Sequence, residues 1–114
     1  MTTPNLNAPT QIVGDRDVWA GTNTLTTRVT AGASETVIVL GITACNIHAS
    51  NAGWALWSLN NGTDFRGTFQ IAVPLTATVQ LLDKPLIMNP ADLLKLQANA
   101  SSNIEFITSM LRIT

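Results

Sequence analysis

A chain of 114 residues with a single cysteine has the length of one domain, enough to bury roughly 65% of its unfolded surface without a metal or a disulfide. Charged residues make up 11% and hydrophobic ones 46%, with a net charge of −1, which is too apolar for a disordered chain and offers no basic patch to neutralise phosphates. No apolar run reaches the ~20 residues of a membrane helix, and MTTPNLNAPTQ has neither the basic nor the apolar part of a signal peptide.

Residues 1–16 are polar and carry Pro4 and Pro9, with Ile12 and Val13 as their adjacent large apolar pair. Such a stretch has no core of its own, and the expectation is an extended N-terminal arm that orders against a neighbouring subunit. Asp15-Arg16-Asp17 reads as a locally self-paired charged entry to the fold, followed by Val18 and Trp19. The domain proper is taken as residues 17–114.

TNTLTTRVT, residues 22–30, is rich in β-branched residues and reads as a solvent-facing strand closed by the turn Ala31-Gly32-Ala33-Ser34. Residues 35–45 follow as a strand that is apolar on both sides, with Val37 and Val39 alternating against Ile38, Leu40 and Ile42. A strand of that kind is covered twice, by a core and by a second surface. After a small-residue loop, Trp54-Ala55-Leu56-Trp57 places its two indoles on opposite faces. Burying one indole is worth on the order of 4–6 kcal/mol at about 25 cal/mol per Å², so one Trp is expected in the core and the other at a contact surface.

Asn60-Asn61-Gly62-Thr63 signals a tight turn, with Asn61-Gly62 suited to a type I′ hairpin. Residues 66–73 then read as one strand with Phe69, Ile71 and Val73 on a shared face, broken at Pro74. Further strands are expected at residues 76–82, 86–88, 93–98 and 104–113, separated by Asp83-Lys84-Pro85, Asn89-Pro90-Ala91-Asp92 and residues 99–103. The whole is an all-β pattern of about seven or eight strands, an antiparallel β-sandwich or jelly roll.

Catalytic constellations do not emerge from this pattern. His48 is the sole histidine, Cys45 the sole cysteine, and the acids are scattered near turns and along strands, so no catalytic residue, metal site or cofactor is assigned and the chain is not read as an enzyme. The candidate functional residues are instead contact residues: Ile12 and Val13, Trp19, Trp54, Trp57 and Phe65. A second reading takes Trp54 or Trp57 with Asn60 and Asn61 as a carbohydrate platform.

The run Ala31-Gly32-Ala33-Ser34-Glu35-Thr36-Val37-Ile38-Val39, then Ile42-Thr43-Ala44-Cys45-Asn46 and a Trp/Leu-rich strand, resembles a class of small bacteriophage virion proteins. These are capsid decoration or cement proteins and related neck or tail-associated β-sandwich proteins. The resemblance covers about residues 25–114 and includes the closing half around Leu93-x-x-Leu96-x-Ala98; where such chains commonly carry Ala-Gly before Asp92, this one has Asn89-Pro90-Ala91. It implies a viral structural protein on the capsid surface, made in the cytoplasm of a host bacterium. The expected partners are copies of itself, as a homotrimer, and the major capsid protein, with no nucleic acid, membrane or small-molecule substrate. A neck or tail adaptor, or a fibre-attachment protein, is the alternative within the class, and a carbohydrate-binding module the alternative outside it.

Overall fold

Residues 11–114 are described by a computed structural model. Their short, β-branched, period-two segments form ten strands and no helix. These are β1 (Ile12–Ala20), β2 (Thr26–Thr30), β3 (Thr36–Asn46), β4 (Gly53–Asn60), β5 (Asp64–Arg66), β6 (Ile71–Val73), β7 (Thr78–Gln80), β8 (Leu86–Met88), β9 (Leu93–Ala98) and β10 (Ile104–Ile113).

All pairings are antiparallel and fall into two sheets. In the first, the order is β1-β10-β3, and the far edge of β3 is shared by two short strands, β8 beside Val37–Val39 and β7 beside residues 43–45. In the second, the order is β2-β9-β4, with β6 and β5 sharing the far edge of β4. The inward faces of both sheets meet in one core, with Val37, Val39, Ile42, Ile104 and Phe106 from the first and Val29, Ala55, Leu94 and Leu96 from the second. Burial of these branched side chains supplies the main driving force for the fold.

The first half of β1 differs from the sequence expectation. Residues 12–16 are paired continuously with β10, and the remainder of the expected arm, residues 1–10, lies outside the described residues. Alternation along β1 turns Asp15 and Asp17 inward and Arg16 outward, so the three do not pair among themselves. Asp15 instead meets Arg112 at 2.9 Å and Asp17 meets Arg28 at 2.8 Å. Arg112 also reaches Glu35 at 2.7 Å. Burial works against the charge of Arg112, yet its hydrogen bonds to Asp15 and Glu35 prevail and raise its pKa.

Two bulges redirect side chains. Between Ser109 and Met110 the register against β3 passes from Gly41 to Val39, leaving Leu40 as the extra residue. The slip puts Val39 and Ile42 on the same, inward face, which strict alternation through residues 35–45 had separated. Gln80 covers the irregularity: its Oε1 accepts a hydrogen bond from Ile42 N at 2.7 Å. The second bulge, between Thr27 and Val29, leaves Arg28 as the extra residue of β2 and delivers its guanidinium to Asp17. Val29 itself is buried, so β2 is not the wholly solvent-facing strand expected.

Two other local expectations fail. The β4–β5 connection is a three-residue loop, with Asn60 paired to Asp64 and positive φ at Gly62 but not at Asn61, so no type I′ turn forms there. Residues 66–73 are not one strand: the chain leaves β5 at Gly67, which closes on Trp57, and re-enters the sheet only at Ile71. Phe69, expected beside Ile71 and Val73, is 75% exposed in the intervening segment.

Candidate functional site

Apolar residues are distributed unequally over the two outer faces. On the second sheet the outward positions of β4 and β9 mix apolar residues that are half-buried or buried, Trp54, Leu56 and Leu93, with polar ones tied to neighbours. Ser58 Oγ donates to Phe65 O at 3.0 Å, Lys95 pairs with Asp64 at 3.1 Å, and Gln97 Nε2 donates to Asn23 O at 2.8 Å. On the first sheet the outward positions carry Ile12 and Val18 from β1, Leu40 from β3, Ile87 from β8 and Ile107 from β10, between 48% and 62% exposed.

Register places these residues in transverse rows. Gly14, Leu111, Ile38 and Ile87 form one row across four strands, and Val18, Ile107, Thr43 and Gln80 form another. Between them Arg16, Ser109 and Gly41 lie in line, and at the end of the sheet Ala20, Glu105, Cys45 and Thr78 make the last row. The absence of a side chain at Gly14 and the displacement of Leu40 leave an open depression of about 540 Å³ beside Leu111 and Ser109. The face is therefore mostly apolar, indented at that depression, and punctuated by two exposed charges, Arg16 and Glu105. Exposed apolar surface of this contiguity marks a contact site.

The residues singled out from sequence do not converge on one site. Ile12 belongs to the face just described, while Val13 points to the other side of β1 beside Arg112. Trp19 turns inward and stacks on Phe106, with ring centroids 5.4 Å apart. Trp57 packs against the core, and its Nε1 donates to Leu81 O at 3.1 Å. Trp54 sits half-buried on the opposite face of β4, and Phe65 is exposed on the edge strand β5. Val18, Leu40, Ile87 and Ile107, which complete the apolar face, were missed. Alternation along residues 12–20 carries no signal for the first of them, because the apolar residues there stand in adjacent pairs, Ile12 with Val13 and Val18 with Trp19.

The polar residues considered for chemistry have structural work to do. His48 Nδ1 accepts hydrogen bonds from the amides of Ser50 and Asn51 at 3.0 Å, shaping the loop after β3. Asn60, part of the carbohydrate reading, spends its amide on Asp64 at 2.7 Å and its oxygen on Gly62 N at 2.9 Å. Among the described residues no cluster of His, Cys, Asp and Glu has metal-binding spacing.

No protein-family model matches the chain, and comparison with curated proteins likewise finds no match.

Proposed function

We propose that this chain is a structural protein that acts by assembly, a bacteriophage virion component of the capsid decoration type that contacts copies of itself and a capsid surface. The observation that carries the assembly reading is the outer face of the first sheet, where five large apolar side chains from four strands stand exposed together. On the outer face of the second sheet, by contrast, the apolar Leu56 is buried and Trp54 half-buried rather than exposed. The virion assignment rests on the resemblance through residues 25–114.

The strand order supports a jelly-roll reading of the two sheets as a sandwich. Counting β5 with β6 and β7 with β8 as single broken edge strands gives eight positions. Chain order then crosses between sheets at every step except from β4 to β5, the pattern of two interleaved Greek keys. Small jelly rolls of this kind serve in viral shells, which agrees with decoration of a head. A neck or tail adaptor would use the same fold in a ring of different copy number.

Native mass spectrometry of the full chain, together with proteomics of purified particles from the phage that encodes it, tests the reading. A homo-oligomer, with the protein present in the particles, is expected. A monomer absent from purified particles would sink it.

A further inference from the structure

We propose that the outer face of the first sheet is a self-complementary interface, which binds the same face of a second copy about a two-fold axis crossing the strands at the row of Val18 and Ile107. This deepens the assembly reading above and rests on it.

The placement follows from the two exposed charges. Arg16 lies on β1 two residues before Val18, and Glu105 lies on β10 two residues before Ile107; because the strands are antiparallel, the charges stand on opposite sides of that row. They are on adjacent strands and four residues apart along the sheet, a separation of roughly 13–14 Å that exceeds an ion pair within one chain. An axis in the interface plane along the row exchanges the two sides. Arg16 of one copy then lies over the strand next to Glu105 of the other, offset sideways by one strand spacing of ~4.8 Å and across a sheet gap of ~10 Å that both long side chains enter. The symmetry makes the contact twice.

The same operation fills the rest of the face. Val18 and Ile107 meet their own copies at the axis. Ile38, four pairing positions from the axis on β3 once the bulged Leu40 is passed over, faces the partner's position four residues beyond Thr43 on the same strand, which is Ile47, exposed just past the end of β3. Two other simple arrangements leave the charges unmatched. An axis along the strands sets Arg16 against Ser109 and Glu105 against Ala20. Joining two copies edge to edge at the side of β1 that has no strand beside it among the described residues, centred on the strand, sets Arg16 against Arg16. A charged centre of this kind guards an edge against such pairing. The face is nine residues long at ~3.3 Å each and four strands wide, roughly 30 by 19 Å or about 570 Å², close to the lower end, about 600 Å² per partner, of ordinary stable interfaces.

Sedimentation velocity of the full chain over a concentration series tests the geometry with Arg16→Glu, Glu105→Arg and the double reversal. Both sites are exposed, and circular dichroism checks that each variant folds. Each single reversal sets like charges together twice and is expected to weaken self-association by about tenfold or more. The double reversal restores the pairs and is expected to return to within about threefold of the native chain, and Val18→Asp at the axis abolishes association. Association that ignores the reversals, including a trimer unaffected by them, overturns this interface and leaves the assembly reading standing. A native chain that is monomeric throughout overturns this interface, and the assembly reading falls with it if the protein is also absent from purified particles.

Discussion

Gly67 lies against the indole of Trp57 so closely that a Cβ built on it would stand 2.2 Å from three carbons of the ring. The ring is not free to yield. Its Nε1 is held by Leu81 O at 3.1 Å, and the backbone is tied by Gly67 N donating to Trp57 O at 3.0 Å. A glycine is required here for close approach rather than for a special dihedral. Gly67→Ala is expected to cost about 1–3 kcal/mol through overpacking, read as a lower urea midpoint with a changed near-ultraviolet Trp signal. An unchanged midpoint would mean that the segment between β5 and β6 shifts freely and does not anchor Trp57.

The turns offer changes in the opposite direction. Ala91 has φ 70° and Thr76 has φ 62°. Each is the third residue of a four-residue turn, closed by Asp92 N donating to Asn89 O and by Ala77 N donating to Pro74 O, both at 3.0 Å. Left-handed backbone costs an L-residue roughly 1–2 kcal/mol, and a β-branched residue such as Thr76 fits it worst. Ala91→Gly and Thr76→Gly relieve that strain, offset in part by the entropy of glycine in the unfolded chain. A net gain of up to about 1 kcal/mol is expected at each, larger at Thr76, measured as a raised denaturation midpoint. A loss at both positions would show that the strain is negligible.

The same turn shows what was legible in the sequence. Pro90 and Asp92 marked the break before β9. That Ala91 would hold positive φ could not be read from residue type alone. Strands β3, β4, β8, β9 and β10 were readable because their alternation is unbroken over most of their length. Where it is broken, at Leu40 and Arg28, the cause is a bulge, and a bulge depends on the partner strand's register. The apolar face was hidden for a related reason: Ile12, Val18, Leu40, Ile87 and Ile107 come from four strands, and only the pairing of β1 with β10 and of β8 with β3 brings them together. The opposed indoles were anticipated, and the structure turns Trp57 to the core.

Acid should weaken the fold through two surface carboxylates. Hydrogen bonding from Arg112, then from Arg16 N, holds the Asp15 pKa below the ordinary carboxylate value; the Asn60 amide, then Lys95, does the same for Asp64. A group whose folded pKa is depressed takes up its proton more readily in the unfolded chain. Its contribution is present above the unfolded value of about 3.9 and is lost as pH falls through the folded one. The side chains of Asp15 and Asp64 are 46% and 44% exposed, so salt screens much of the effect. Thermal midpoints in low salt are expected to fall as pH drops below about 4, and Asp15→Asn to be less stable near neutrality while converging with the native chain in acid. A parallel offset at every pH would assign the loss to packing instead.

Arg28 ties the two sheets together along their open side. Its Nε and Nη2 donate to the two carboxylate oxygens of Asp17 at 3.0 and 2.8 Å, and its guanidinium carbon stands 5.2 Å from the centre of the Trp19 ring. Asp17 and Trp19 share the inward side of β1, and Trp19 stacks on Phe106, so one side chain from β2 clamps both a charge and an aromatic on the other sheet. The planar fork matters as well as the charge. Arg28→Lys keeps the charge but loses the second hydrogen bond and the stacking, and should cost about 1–2 kcal/mol. With side chains 26% and 19% exposed, the pair is partly desolvated, so removing one partner leaves the other uncompensated. Asp17→Leu alone is therefore expected to be worse than Asp17→Leu combined with Arg28→Met, which fills the same space with apolar groups. If the double variant is no more stable than the single one, the clamp acts through Arg28 on Trp19 rather than through the ion pair.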